Sequence, residues 1–286
     1  MRRHPHSMAE MSCIIRPVLE KVKPKRIAEI GAGAGINSEV LADFLRPHQG
    51  ELLSIDPAAH NDFLEWLKTN RDVATHICKP SLQGGIAHVG TADMWFIDGD
   101  HNWYSVYNEL KQIESLAREQ NKPLLIYLHD TGWPFARRDM YCSPESIPDI
   151  YRQPYASHLG IVLDHPHTVE GRGMKGTFAL TEGGPQNGVL TGVEDFLKTS
   201  QTSFHWISIP AALGLGILID KFHPLAQEII DYYAPLHQHP LLAAIERSRV
   251  ISYWEALESN NKLANANDKL AKLSSMLNKL GEFCEV

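Results

Sequence analysis

The chain has 286 residues, of which 43% are hydrophobic, so it can bury an ordinary core and is not expected to be disordered. Its net charge is −7 and it has no long run of lysine or arginine, which argues against a nucleic-acid partner. The sequence lacks the apolar core of a signal peptide and any apolar run near the ~20 residues of a membrane span, and its four cysteines are scattered. We therefore expect a cytoplasmic protein with reduced thiols and no membrane partner.

The first predicted strand ends in a glycine-rich loop. After an N-terminal helical segment over residues 1–24, an apolar run that begins at Arg26 leads into this loop, and residues 36–45 then have the periodicity of a helix. The loop glycines are Gly31, Gly33 and Gly35. Glycines let the backbone turn tightly and approach a ligand with no Cβ in the way. The spacing is G-x-G-x-G, with Ile36 where the dinucleotide fingerprint has its third glycine, so we expect another kind of nucleotide-cofactor loop.

Strands and helices alternate after this loop. Further strands are predicted to end near Asp56, Cys78, Asp98 and Asp130, with helices over residues 61–68 and 103–118. Because these strands are apolar throughout, they indicate a parallel sheet that helices cover on both faces. Ligands of such sheets lie beyond the carboxyl ends of the strands.

A long irregular stretch follows the fifth strand. Residues 131–175 are rich in Pro, Gly, His and aromatic residues, and the stretch is too long for an ordinary connection, so we predict a lid insertion. Periodicity returns with a helix at 192–198, and residues 204–210 and 214–220 are predicted to pair as a closing hairpin with a reversed last strand. We therefore assign residues 25–220 to an α/β domain with a Rossmann-like, seven-stranded, mostly parallel sheet and helices on both faces.

Residues 221–286 are predicted to form a helical C-terminal extension, with one long or two medium helices over residues 241–280. Within it, Leu263, Leu270 and Leu277 fall seven residues apart. Such a seam could pair the subunits of a homo-oligomer. Alternatively, these leucines pack on the protein's own core.

Three predicted strands end in carboxylates at the same edge of the sheet, namely Asp56, Asp98 and Asp130. Asp56 lies about 25 residues past the glycine loop, where an acid can accept hydrogen bonds from the ribose of a nucleotide cofactor. It could instead only cap the turn before Pro57. Glu29, two residues ahead of the loop, would face the cofactor's amino-acid end or brace the loop.

The fourth and fifth strand ends carry the residues best suited to a metal. Asp98 is followed by Gly99, Asp100 and His101, and the next strand ends in His129 and Asp130. Consecutive strands of an open sheet can be neighbours, so we expect Asp98, Asp130 and His129 to converge on one divalent ion, Mg²⁺ or Mn²⁺. His129 could equally be a core histidine bonded to the backbone.

The lid begins with aromatic and basic residues that could hold an acceptor molecule. Arg137 and Arg138 could clamp a carboxylate or phosphate, while Trp133 and Tyr141 stack on the acceptor. Alternatively, Arg138 pairs with Asp139 or Glu145 to hold the lid. We expect four residues to contact the acceptor, namely Trp133, Arg137, Arg138 and Tyr104.

These motifs resemble those of class I S-adenosylmethionine-dependent methyltransferases, whose first motif is similar to the glycine loop with its preceding acid. The string Phe-Ile-Asp-Gly-Asp-His at 96–101, with a later strand that ends in His-Asp, resembles the metal-dependent small-molecule O-methyltransferases. That group includes macrocin-type and macrolide-sugar enzymes and the cephalosporin-hydroxylase-like proteins. The resemblance covers roughly residues 20–220. The sequence departs from the group with His129 where an acid is expected and with Thr131 where catechol-type relatives have an amide.

The resemblance implies roles for the residues above. Asp98 and Asp130 would hold Mg²⁺, joined here by His129, and Asp98 and His101 would be catalytic, with His101 as the general base. S-adenosyl-L-methionine would be bound by Glu29, Gly31, Gly33, Gly35, Asn37 and Asp56.

Our leading hypothesis is methyl transfer from S-adenosylmethionine to a hydroxyl of a small polar molecule, a sugar or a specialised metabolite made in natural product biosynthesis. The reaction requires an acceptor oxygen that is held for in-line attack and loses its proton, and a metal makes a bound hydroxyl more acidic. One alternative is a metal-independent N- or C-methyltransferase with His101 as base. Another is a non-haem iron oxygenase that uses His101, His129 and a carboxylate. A nicotinamide oxidoreductase is disfavoured by the missing third glycine, and a protein that only binds its ligand stays open.

Overall fold

The backbone of the computed structural model, which describes residues 6–284, is organised around one seven-stranded sheet. The strands of the chain are β1 (Arg26–Ile30), β2 (Glu51–Ile55), β3 (Ala74–Ile77), β4 (Met94–Ile97), β5 (Leu125–Leu128), β6 (Tyr155–Ala156), β7 (Leu159–Ile161), β8 (Val169–Glu170), β9 (Met174–Lys175), β10 (Phe178–Ala179), β11 (Phe204–Ile209) and β12 (Leu215–Asp220). The main sheet has the order β11-β12-β5-β4-β1-β2-β3. Neighbours are parallel except at β12, which runs antiparallel to both β5 and β11. The predicted Rossmann-like sheet with a reversed last strand is thus confirmed.

Helices cover both faces of this sheet. They are α1 (Ser12–Val22), α2 (Ile36–Leu45), α3 (Asn61–Lys68), α4 (Ile86–Val89), α5 (Trp103–Glu119), α6 (Val189–Thr199), α7 (Ala226–Tyr233) and α8 (Pro240–Cys284). A short 3₁₀ helix, Met8–Met11, precedes α1. Helices α1, α2 and α7 pack in one hydrophobic cluster, and α4, α5 and α6 pack in the other.

The strands divide their side chains between the two clusters. In β4, Met94 and Phe96 enter the first cluster while Trp95 and Ile97 enter the second, because successive side chains of a strand point to opposite faces. All four side chains are almost fully buried, and each stabilises the fold by about 1.5–3 kcal/mol of transfer free energy. A central strand buried on both faces explains why the sequence reads as continuously apolar there.

The lid between β5 and α6 is longer and more regular than predicted. It continues to Gly188 rather than to about residue 175, because α6 begins at Val189. It contains a two-stranded sheet of β6 and β10 and a three-stranded sheet of β7, β8 and β9. Strands of two or three residues are too short to produce a period in the sequence, so the pattern could not reveal them.

The C-terminal extension is one long helix, α8, preceded by α7. Leu263 and Leu270 are 61% and 63% exposed, so these two leucines do not pack on the protein's own core. The side chain of Leu277 lies outside the described residues. Among the residues that the structure describes, no helix combines the length and the hydrophobicity that crossing a membrane requires.

Candidate active site

The glycine loop lies directly against the end of β4. Because β1 is flanked by β4 and β2, the loop that follows β1 lies between the ends of both neighbours. Gly31 has a φ of +89°, and a Cβ at this position would lie 2.0 Å from the backbone oxygen of Asp98. Only glycine allows that approach. A Cβ on Gly33, with φ of +50°, would meet nothing within 4 Å, so the described chain leaves open space beside this residue.

Glu29 braces the loop from below. Its side chain is buried, and its carboxylate accepts hydrogen bonds from Asn37 Nδ2 at 2.9 Å, Ser38 Oγ at 2.5 Å and Ser54 Oγ at 2.8 Å. Burial raises the pKa of Glu29, although the three donors oppose the change. The sequence left two roles open for Glu29, and these bonds favour stabilisation of the loop over contact with the cofactor. Glu29 and Asn37 bond to each other inside the protein, and their contact with the cofactor stays a prediction.

Asp56 joins the end of β2 to the glycine loop. Its Oδ2 accepts a hydrogen bond from the backbone N–H of Gly33 at 3.0 Å, and its Oδ1 accepts one from the N–H of Ala58 at 2.8 Å. The turn cap considered from the sequence is therefore present. Each oxygen of an ionised carboxylate can accept a second hydrogen bond, so the cap is compatible with binding a ribose as well.

The ends of β4 and β5 bring the three predicted metal ligands together. One ligand atom from each of Asp98, His129 and Asp130 lies within 4.8 Å of the others. His129 Nδ1 is 3.4 Å from Asp98 Oδ1 and 3.2 Å from Asp130 Oδ2. The convergence expected from neighbouring parallel strands is thus present.

The ring of His129 is oriented by the backbone. Its Nε2 lies 2.8 Å from the carbonyl oxygen of Ala212, so Nε2 carries a proton and donates it there. The other nitrogen, Nδ1, faces the two carboxylates. The backbone bond that the sequence raised as an alternative to metal binding therefore exists, but it leaves Nδ1 directed at the cluster. Metal-ligating histidines characteristically donate their second nitrogen to such a partner.

His101 completes the cluster. Its Nε2 is 2.7 Å from Asp130 Oδ2 and 3.5 Å from Asp98 Oδ1. Burial alone would lower the pKa of His101, but the two carboxylates outweigh it and raise that pKa to about 10. Burial would raise the pKa of Asp130, but the positive charges of His129 and His101 hold it well below its usual range.

Several polar atoms of the cluster lack a hydrogen-bond partner among the described residues. They are Asp130 Oδ1, Thr131 Oγ1 and His101 Nδ1, all of them buried. An unsatisfied buried polar group costs about 1–3 kcal/mol, so Asp130 Oδ1, which belongs to the group of possible metal ligands, is suited to a further polar or charged partner. Two carboxylates and one imidazole form a donor set that fits a divalent cation.

The two arginines of the predicted acceptor site both have partners within the protein. Arg137 forms a bidentate ion pair with Glu194, in which each guanidinium nitrogen lies 2.6 Å from a carboxylate oxygen. Arg138 is 1% exposed and donates to the carbonyl oxygens of Ala179 and Pro166 at 2.7 and 2.8 Å. Arg138 therefore holds the lid together and Arg137 ties the lid to α6, and their contact with an acceptor stays a prediction. Their partners are far along the chain, which the sequence could not reveal.

The aromatic residues of the predicted acceptor site differ in their environment. Tyr104 stacks on Tyr151 of the lid with ring centroids 5.2 Å apart. Tyr141 is buried and donates its hydroxyl to Asp139 at 2.8 Å. Trp133 is partly exposed. Tyr104 and Trp133 stay as predicted acceptor contacts.

The sequence raised Asp139 only as a partner for Arg138, whereas in the structure it fixes the lid to the site. It is 0% exposed and accepts hydrogen bonds from the backbone N–H groups of Trp103 at 2.8 Å and Gly188 at 2.6 Å. Burial raises the pKa of Asp139 to about 6. The next residue, Met140, donates its N–H to the carbonyl of His101 at 3.0 Å. An aspartate inside an irregular segment gives no signal of such a role.

A known protein family is similar to the part of the chain that contains these residues. Residues 28–131 match the family model of a methyltransferase domain. The matched segment runs from β1 to the residue after Asp130 and so includes the glycine loop, Asp56 and the cluster. No curated protein matches the chain.

Three solved structures illustrate the overall similarity. An SAH-bound methyltransferase from Podospora anserina is 18% identical, with a TM-score of 0.47 over 74% of this chain and 78% of that one. The O-methyltransferase TomG from Streptomyces achromogenes, involved in tomaymycin synthesis and in complex with SAM, is 15% identical, with a TM-score of 0.44 over 74% and 79% of the two chains. An O-methyltransferase from Bacillus cereus in complex with SAH is 13% identical, with a TM-score of 0.45 over 77% and 84%.

Proposed function

We propose that this chain, in which residues 28–131 match a methyltransferase domain, is an S-adenosylmethionine-dependent O-methyltransferase that acts on a hydroxyl of a small polar molecule, a sugar or specialised metabolite. The proposal rests on one observation, namely the close contact between Gly31 and the backbone of Asp98. This contact makes the cofactor loop and the carboxylate–imidazole cluster one continuous surface. A methyl donor on the loop would then lie next to an acceptor oxygen at the cluster, as in-line transfer requires.

The loop residues have distinct parts in this proposal. The open space beside Gly33 is where the backbone can approach the cofactor. Asp56 accepts from the ribose hydroxyls with the lone pairs that its turn does not use. Glu29 and Asn37 act below the loop and keep its backbone in the shape that the cofactor needs.

The cluster supplies acid–base chemistry for the acceptor. Asp98, Asp130 and His129 would hold Mg²⁺ or Mn²⁺, which when bound makes a coordinated hydroxyl more acidic. A cation on Asp98 and Asp130 would compete with His101 for these carboxylates and would so lower the raised pKa of His101. His101 Nε2 is then able to take the proton of the acceptor hydroxyl.

The first experiment is a calorimetric titration of EDTA-treated protein with S-adenosylmethionine and with NAD, each with and without Mg²⁺. We expect saturable binding of S-adenosylmethionine alone. Binding of NAD, or of neither molecule, would contradict the proposal. A methylation assay against hydroxylated small molecules follows, with and without chelation. Transfer that survives chelation favours the metal-independent N- or C-methyltransferase instead.

A second candidate function has one observation in its favour. Two imidazoles, His101 and His129, approach the same pair of carboxylates, as in the two-histidine, one-carboxylate sites of iron oxygenases. This candidate gives the glycine loop no role. Oxygen consumption by the Fe²⁺-loaded protein, without S-adenosylmethionine, would favour it over methyl transfer.

A further inference from the structure

The tight turn between β11 and β12 has an unusual backbone conformation. Ala212 and Leu213 have φ values of +48° and +67°, so two consecutive residues with a Cβ occupy the left-handed region. Neither residue is a glycine or an asparagine, the types that tolerate this region. Such a conformation persists only where the surrounding structure stabilises it.

This turn packs against the residues that follow β5. The backbone N–H of Gly132 donates to the carbonyl of Leu213 at 2.6 Å, and a Cβ on Gly132 would lie 2.6 Å from the same oxygen. The carbonyl of Ala212 accepts the Nε2 proton of His129 at 2.8 Å. The direction of the Ala212 carbonyl therefore sets the orientation of the His129 ring.

Glu246 of α8 holds the turn from its other side. Its Oε2 accepts the N–H of Ala212 at 3.0 Å, and its Oε1 accepts the N–H of Leu213 at 2.9 Å. Arg249 donates to the same two oxygens at 2.8 and 2.7 Å. Burial opposes ionisation of Glu246, but Arg249 and the two backbone donors lower its pKa overall. The carboxylate is therefore charged and fixed in place.

Glu246 and His129 bind opposite ends of one peptide group. The C=O of Ala212 and the N–H of Leu213 belong to the same planar unit, and in a trans peptide these two groups point in opposite directions. Glu246 draws the N–H towards α8, which directs the C=O towards His129. A negative charge at the N–H end also polarises the peptide, so its oxygen becomes a stronger acceptor.

We propose that Glu246 is a positioning residue that acts on His129 through the Ala212–Leu213 peptide. It keeps the Nε2–H of His129 directed at the Ala212 carbonyl and Nδ1 directed at Asp98 and Asp130. The proposal rests on the proposed function in one respect, namely that His129 is a metal ligand. Glu246 lies outside the segment that matches a methyltransferase domain, so α8 supports the site from outside that segment.

The test compares Glu246→Ala and Glu246→Gln with Glu255→Gln, an exposed glutamate of the same helix. In metal-free protein labelled with ¹⁵N-histidine, the Nε2–H signal of His129 is assigned by its loss in His129→Gln, and its exchange with solvent is measured. We expect exchange to be about tenfold faster in Glu246→Ala and about threefold faster in Glu246→Gln, which keeps one acceptor oxygen, and unchanged in the control. Titration with Mn²⁺ alone, followed by its electron paramagnetic resonance, should give about tenfold weaker binding in Glu246→Ala.

The two readouts separate this proposal from the proposed function. If the His129 Nε2–H of Glu246→Ala exchanges with solvent at the same rate as in the wild type, the positioning role is overturned. If that variant does not fold, wild-type exchange in Glu246→Gln overturns it equally. Absence of Mn²⁺ binding by the wild-type protein would contradict the metal-dependent function, while the exchange measurement still decides the role of Glu246.

Discussion

His101 is the residue whose removal tests the chemistry most directly. Its Nε2 lies 2.7 Å from Asp130, whereas the glycine loop is held by Glu29 and Asp56, which do not depend on His101. We expect His101→Ala to lower kcat by about 10²–10⁴ and to change the Kd of S-adenosylmethionine by less than about twofold. Steady-state kinetics and calorimetry measure both quantities. His88→Ala, at an exposed histidine of α4, is the matched control, and normal turnover in His101→Ala would exclude a base at this position.

Glu109 gives a prediction of pH dependence. It is 1% exposed, its Oε1 accepts a hydrogen bond from Ser81, and burial raises its pKa from 4.5 to about 8. Between these two pH values the folded protein keeps a proton that the unfolded chain releases. The free energy of unfolding therefore falls as pH rises through this window, by at most about 1.4 kcal/mol per pH unit.

Glu109→Gln removes this dependence. We expect the stability of the variant relative to wild type to increase between about pH 5 and about pH 8, as measured by urea unfolding at several pH values. Glu119→Gln, an exposed position on the same helix, should show no such trend. If the difference in the free energy of unfolding between Glu109→Gln and wild type is constant across this pH range, Glu109 is ionised in the folded protein.

At the scale of single residues, the sequence could predict which strand ends meet but not how distant side chains pair. Asp98 and Asp130 end neighbouring parallel strands, so their proximity follows from the topology. Glu194, which forms an ion pair with Arg137, belongs to a helix beyond the lid. Its position depends on packing that no local pattern encodes.

The glycine loop is the element whose two key positions can be tested against each other. A Cβ on Gly31 would collide with the backbone of Asp98 at 2.0 Å, whereas one on Gly33 would meet nothing within 4 Å. We expect Gly31→Ala to lower the free energy of unfolding by about 3 kcal/mol. Gly33→Ala should lower it by only about 1 kcal/mol, from backbone strain, yet weaken S-adenosylmethionine binding at least about tenfold.

Chemical denaturation and calorimetry distinguish the two variants. Wild-type affinity for S-adenosylmethionine in Gly33→Ala would mean that the space beside Gly33 is not the cofactor site. Equal stability of the two variants would contradict the close approach of Gly31 to β4.

Elements of ordinary length were predictable, and so was the presence of the lid, but the internal structure of the lid was not. The strands of the main sheet are four to six residues of apolar sequence between turns or helices, which is enough to recognise them. The lid is held by single side chains such as Asp139 and Arg138, whose bonds reach backbone groups in other parts of the chain. Its shape therefore follows from contacts that exist only after folding.

For the whole molecule, the exposed leucines of α8 bear on oligomeric state. Leu263 and Leu270 lie seven residues apart and Leu273 follows three residues later, as in the a and d positions of a coiled coil, and all three are more than half exposed. We expect a second copy of the chain to cover them. Sedimentation should then give twice 32.1 kDa for the wild type and 32.1 kDa for the Leu263→Lys, Leu270→Lys double variant.

A matched control is available on the same helix. Ala264→Lys with Ala271→Lys places the same charges at exposed positions, also seven residues apart, beside the seam rather than in it. This variant should keep the wild-type mass. A monomeric wild-type protein, or equal dissociation of both double variants, would contradict pairing through the leucines.

The antiparallel pairing of β12 with β5 has a consequence for the order of folding. Strands β11 and β12 are adjacent in sequence and can form a hairpin early, but the hairpin reaches β5 only after the lid and α6 between them have been spanned. The turn at the tip of that hairpin carries the Ala212 carbonyl that orients His129. We therefore expect docking of the hairpin to be a late event, and a newly synthesised chain to acquire high affinity for a cation only when it has finished folding.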